Sequence, residues 1–156
     1  NKDLDRDVVK QRVTLSGSGP GPGPGPGPGP SSSVHAIYRC ALPTGTHLTT
    51  IHSNCEGISG AKEEGVLGYL SNTKASNTHA LYRCSGGGDH FVSIHAGCEG
   101  ATVDGVLGWA WNAPSGGTTA LYRCLMGGKR HMTSTSSTCE GGGSSEGIVG
   151  YVRTSG

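Results

Sequence analysis

Ala80-Leu-Tyr-Arg-Cys84, Asp89-His-Phe-Val-Ser93, Cys98-Glu-Gly100 and Gly105-Val-Leu-Gly-Trp109 follow one another in the middle of the chain. The same four blocks recur twice in the same order. Upstream they read Ala36-Ile-Tyr-Arg-Cys40, Thr46-His-Leu-Thr-Thr50, Cys55-Glu-Gly57 and Gly65-Val-Leu-Gly-Tyr69. Downstream they read Ala120-Leu-Tyr-Arg-Cys124, Arg130-His-Met-Thr-Ser134, Cys139-Glu-Gly141 and Gly147-Ile-Val-Gly-Tyr151. A unit of this size, repeated, builds a body in which copies bury one another's apolar faces. The repeats are assigned to 34–78, 79–118 and 119–156.

Each block is a short run with β-branched or aromatic residues, bounded by Gly, Ser, Asn and Thr, which is the pattern of a strand. The first two blocks form a hairpin, turned at Ser85–Gly88 in the second copy. The Gly-Val-Leu-Gly-Trp block supplies a third strand, and the stretch after Cys-Glu-Gly a short fourth. No segment sustains apolar spacing of 3.6 over ten residues, so almost no helix is expected. The fold class is therefore all-β with pseudo-threefold symmetry. A twelve-stranded β-trefoil is preferred over a propeller, because propellers usually have four or more blades.

The six cysteines follow the repeat as Cys40 and Cys55, Cys84 and Cys98, Cys124 and Cys139. Pairing within each unit is preferred. The symmetric rival joins each second cysteine to the first of the next unit, as Cys55 to Cys84. No Cys-x-x-Cys cluster supports zinc, and neither metal nor cofactor is expected. Disulfides would offset a core with one Phe and two Trp, and they place the chain in an oxidising compartment, secreted or periplasmic.

Outward from the repeats, composition separates into two parts. Of 29 glycines and 8 prolines, seven glycines and six prolines fall in Ser16–Ser33, as Ser-Gly-Ser-Gly and alternating Gly-Pro. Glycine at every second position excludes a collagen helix, and the segment reads as a semi-rigid spacer. Residues 1–15 are highly charged and lack a signal-peptide core, which predicts the tail or end of an upstream domain. Asp3, Asp5 and Asp7 lack the glycine and distal glutamate of a calcium loop. With 12 Lys and Arg against 11 Asp and Glu, no basic excess draws nucleic acid. No apolar run reaches the length of a membrane span.

Three residue types repeat with chemistry. Glu56, Glu99 and Glu140 follow a cysteine and precede a glycine, and a carboxylate suits paired sugar hydroxyls. Tyr69, Trp109 and Tyr151 close the Leu-Gly-aromatic or Val-Gly-aromatic block, where a ring can stack on a pyranose. His47, His90 and His131 open the second strand, either to orient a ligand or to bond a backbone carbonyl. Alternatives stay open: the aromatics are core residues, or the glutamates pair with the repeated arginines. The Tyr-Arg pair reads as a core tyrosine covered by arginine. His35, His52, His79 and His95 do not recur in all three units and carry no assigned role. No Gly-x-Ser-x-Gly, His-Glu-x-x-His or phosphate-loop motif is present, so no catalysis is expected of this chain.

The Tyr-Arg, His-Phe and Gly-aromatic cadence resembles repeat modules appended to secreted bacterial glycoside hydrolases. Over nearly all of 34–156 it is similar to trivalent β-trefoil carbohydrate-binding modules of family 92. That resemblance implies an aromatic and a glutamate binding sugar in each unit, here Trp109 with Glu99 and their counterparts. The Gln-x-Trp signature of ricin-like trefoils is absent. The third copy has Met132 for Phe91 and Gly141-Gly-Gly-Ser-Ser for Gly100-Ala-Thr-Val-Asp, so one site is expected to be weak or lost. The expected protein is a secreted, monomeric, non-catalytic module that holds an upstream enzyme on polysaccharide. The alternative is a structural or adhesive module that binds protein or copies of itself.

Overall fold

Short apolar-polar runs become strands when a hairpin brings two of them together and a third covers the open edge. The computed structural model describes residues 33–156, and within them this happens three times. The first unit holds β1 (Val34–Ala41), β2 (His47–Thr50) and β3 (Lys62–Ser71). The second holds β4 (Thr78–Gly86), β5 (Asp89–Ser93) and β6 (Thr102–Trp111), and the third β7 (Thr118–Met126), β8 (Arg130–Ser134) and β9 (Gly143–Arg153). The tail 1–15 and nearly all of the spacer lie outside the described residues.

The fold is all-β and antiparallel. In each unit the first strand lies between the other two, as in Arg83↔Val92 on one side and Leu81↔Gly108 on the other. The described residues form nine strands, three to a unit, rather than the twelve expected. The stretch after Cys-Glu-Gly does not make a separate strand. It begins β3, β6 and β9, which continue past Gly65, Gly105 and Gly147 with register shifts against their partners. Such bulges let one long strand bend where two short ones were expected. Thr78 and Thr118 open β4 and β7 instead of ending the preceding repeats.

The third strands also tie the units together. Ser71 pairs with Trp109, Trp111 with Tyr151, and Tyr69 with Arg153, so each of β3, β6 and β9 touches both others. Inside this closure lie Ile37, Leu70, Leu81, Leu107, Leu121 and Val152, drawn from all three units. No aromatic ring belongs to that core cluster, so Tyr69, Trp109 and Tyr151 are not the core aromatics of one open alternative. Among the described residues no helix is long and apolar enough to cross a membrane.

All three disulfides form within units: Cys40–Cys55, Cys84–Cys98 and Cys124–Cys139. Each fastens the end of a first strand to the Cys-Glu-Gly turn. That turn is left-handed, with φ of 56° and 60° at Cys55 and Glu56, 54° and 57° at Cys98 and Glu99, and 55° and 59° at Cys139 and Glu140. Left-handed conformation costs an L-residue roughly 1–2 kcal/mol, so two in succession need external restraint. The disulfide restrains the first residue. Glycine, free of the Cβ penalty, takes the third. The glutamate between them is restrained from another unit.

Candidate functional site

Strand pairing places the repeated aromatics on the outer side of each unit. In the second, Tyr82 lies opposite Val106 and Ala80 opposite Trp109. Small Ala80 leaves the Trp109 ring room beside Tyr82. The result is a surface groove of about 510 Å3, lined by Lys74, Thr78, Tyr82, Ile94, Val106 and Trp109 among others. The same pairs recur as Tyr38↔Val66 with Ala36↔Tyr69, and as Tyr122↔Ile148 with Ala120↔Tyr151. Val66 and Ile148 are exposed. Gly156 lies against the Tyr69 ring and partly covers the first face.

The Tyr-Arg expectation is thereby reversed. The tyrosines are half-buried on the outer face, whereas Arg83 is buried and Arg39 and Arg123 are nearly so.

Each arginine grips the glutamate of the preceding unit. Arg123 donates from Nη1 to Glu99 Oε2 at 2.8 Å and from Nη2 to Oε1 at 3.2 Å. Arg39 donates likewise to Glu140 at 2.7 and 3.1 Å, and Arg83 to both oxygens of Glu56. Arg39 Nε also reaches Glu64 at 2.9 Å and Arg123 Nε reaches Glu146 at 2.8 Å. A hydroxyl at the end of each second strand completes the set: Thr50, Ser93 and Ser134 donate to Glu56, Glu99 and Glu140, each at 2.6 Å. Arginine and serine hydrogen bonds hold Glu99 and Glu140 ionised down to a pKa of about 2. Burial opposes ionisation of Glu56, and the Arg83 contact outweighs it, leaving its pKa below the usual value.

Of the second-strand histidines, His131 and His47 join this network rather than the aromatic face. His131 sits between Asp89, 2.6 Å from Nδ1, and Glu146, 3.1 Å from Nε2, with its ring against Phe91. His47 Nε2 is 3.5 Å from Glu64. His90 Nδ1 is buried without a hydrogen-bond partner among the described residues. Burial lowers the pKa of both His47 and His90, so both are neutral at pH 7.

The nine candidate sugar-binding residues therefore fall into two places. Tyr69, Trp109 and Tyr151 stand on outer faces. Glu56, Glu99, Glu140, His47, His90 and His131 belong to the seams between units. Trp109 and Glu99, expected to share one site, line different grooves. Glu99 lines a smaller groove of about 240 Å3 with His95, Arg123, Glu146 and Ile148, and Ile94 divides the two. Among the described residues no group of three or more His, Cys, Asp or Glu could hold a metal ion.

Two histidines without an assigned role prove to be structural. His35 Nε2 donates to the Leu107 carbonyl of the second unit and His79 Nε2 to the Val149 carbonyl of the third, both at 2.7 Å. The other ring nitrogens meet Asn72 and Asn112. Gly108 and Gly150 make the room. A Cβ on Gly108 would stand 2.8 Å from His35 Cε1, and one on Gly150 would stand 3.0 Å from His79 Nε2. A sequence signal existed: histidine and asparagine occur together in units one and two, and both are replaced by threonine, Thr119 and Thr154, in the third.

Comparison with known protein families, curated proteins and solved structures finds no match to this chain.

Proposed function

We propose that this chain is a non-catalytic carbohydrate-binding module whose sugar sites are the outer aromatic faces of its units. One observation carries the reading: Trp109 and Tyr82 line an open groove, and each other unit repeats a tyrosine opposite an aliphatic residue with a second aromatic opposite alanine. An aromatic face stacks on the C–H face of a pyranose. The groove lies within the usual 300–1,000 Å3 of small-ligand sites, although it is open rather than enclosing.

In this reading the units stand about a pseudo-threefold axis, related to a trefoil in plan and simpler in strand number. Three faces on one rigid body meet a polymer repeatedly, and binding at one face raises the effective concentration at the next. The Arg–Glu seams fix the spacing of the faces and take no ligand. Three disulfides support an oxidising, extracellular setting. The Gly-Pro segment then spaces the module from an upstream enzyme.

Affinity electrophoresis through gels cast with a panel of polysaccharides tests this. Retardation on at least one glycan, weakened by Trp109→Ala, is the expected result, and free migration in every gel overturns it. Exposed Ile94, Val66 and Ile148 favour a second reading, an adhesive module that packs on protein or on itself. Light scattering tests the self-association in that second reading, which a monomer at all concentrations removes.

A further inference from the structure

We infer that the second unit's groove selects an anionic sugar, a hexuronate whose ring stacks on Trp109 and whose carboxylate meets Lys74. This rests on the carbohydrate-binding reading and names the class of sugar that one face takes.

The polar groups lining that groove are nearly all donors. Lys74 is exposed and supplies three N–H donors, Trp109 Nε1 supplies one, and the Tyr82 hydroxyl can donate or accept. None of the three makes a hydrogen bond to another described side chain or backbone group. Thr78 contributes little, because its hydroxyl is used by both the carbonyl and the N–H of Ala75. Both ring nitrogens of His79 are engaged as well.

Among the described residues no carboxylate lines this groove, and Lys74 is the one charged side chain in its lining. Nearby Glu99 and Glu146 lie in the adjoining groove beyond Ile94, with Arg123 between them. Neutral sugars offer donors and acceptors equally, and a wall with four N–H donors and one hydroxyl that can accept matches few of their hydroxyl hydrogens. A sugar carboxylate is an acceptor only and complements such a wall.

The third unit differs at this position. The bonds from Ala75 N to Thr78 Oγ1 and from Ser115 N to Thr118 Oγ1, both 3.0 Å, align the two turns and put Pro114 where Lys74 stands. The charge preference therefore belongs to the second face and not the third.

Isothermal titration of the full chain with trigalacturonic acid, and with the same trisaccharide fully methyl-esterified, tests the inference. The ester keeps the ring and removes the charge. The acid is expected to bind about threefold to fivefold tighter at low salt, as an exposed ion pair allows. Lys74→Met removes that difference between acid and ester, whereas Trp109→Ala weakens both. Equal affinity for acid and ester overturns the anion preference and leaves the glycan reading intact. Tighter binding of a sulfated galactan trisaccharide than of the uronate overturns the carboxylate assignment. Retardation on some glycan in gels, with neither titrant binding, overturns the uronate class. Absence of binding to any glycan overturns both readings. Circular dichroism of each variant establishes that it is folded.

Discussion

Arg39 in the first unit holds Glu140 in the third by two hydrogen bonds, 2.7 and 3.1 Å long, across 101 residues of chain. The equivalent bonds join Arg83 to Glu56 and Arg123 to Glu99, so the three seams close into a ring. This explains why glutamate sits inside each left-handed turn. Its carboxylate, held by the next unit's arginine and its own unit's hydroxyl, restrains a backbone conformation that the residue alone disfavours. The Cys-Glu-Gly motif is thus a covalent anchor, an inter-unit anchor and a hinge without Cβ.

The seams differ in burial, and their substitutions should rank accordingly. At the first, side-chain exposure is 7% for Arg83 and 15% for Glu56; at the third, Glu140 is 46% exposed. Glu56→Ala takes both hydrogen-bonded oxygens from a buried guanidinium, leaving it Asp104 at 4.0 Å, and should cost about 3 kcal/mol. Glu140→Ala should cost about 1 kcal/mol, since solvent replaces part of what is lost and Glu64 remains on Arg39. Denaturant unfolding with disulfides intact gives the order, and an equal or reversed ranking contradicts the account.

Stability should fall in two steps on acidification. His47 and His90 have folded pKa values below 6.5 because burial disfavours the cation. The unfolded chain takes up protons first, so stability declines as pH falls below 6.5. Glu99 and Glu140 titrate near 2 when folded, against 4.5 as the ordinary value. Their contribution is complete above 4.5 and is lost as pH falls from there to about 2. Melting temperature against pH shows both limbs. His47→Gln with His90→Gln should flatten the upper limb, and Glu99→Gln with Glu140→Gln the lower.

Removing one disulfide should cost about 3 kcal/mol, the loop-entropy value for a closed loop of this size. Sequence separations are 15, 14 and 15. Either loss frees a left-handed turn, but the first turn keeps the 3.0 Å bond from Glu56 N–H to Asn54 Oδ1 while Gly97 offers the second no side-chain cap, so the Cys84→Ser, Cys98→Ser loss should not fall below that of the Cys40–Cys55 pair. Thermal unfolding of the two double variants makes the comparison.

Gly108→Ala should destabilise by roughly 2 kcal/mol, because φ is 150° and the new methyl meets His35 and Leu70. The His35→Ala background should recover part of that loss. A double-mutant cycle in denaturant measures the coupling, and strict additivity would contradict the contact.

What the sequence disclosed and what it withheld follow from where partners lie. The repeat exposed the strand blocks and the disulfide pairing because both are contained within forty residues. The repeats leave a pairing of the arginines with the glutamates open, but that Arg83 and Arg123 take theirs from another unit, 27 and 24 residues away, is beyond local pattern. A fourth strand was expected after Cys-Glu-Gly because strands are usually short. Gly65, Gly105 and Gly147 instead let β3, β6 and β9 bend through. His35 and His79 carry no threefold repeat to mark them, because the third unit has Thr119 and Thr154 at the equivalent positions.

Retardation of Trp109→Ala and Glu99→Gln, side by side in a gel cast with a glycan that slows the parent chain, tests the central claim most directly. The outer-face account predicts that Trp109→Ala runs markedly faster than the parent, while folded Glu99→Gln is retarded as the parent is. Loss of retardation in Glu99→Gln with Trp109→Ala unaffected would contradict it and return the sugar site to the Arg–Glu seams.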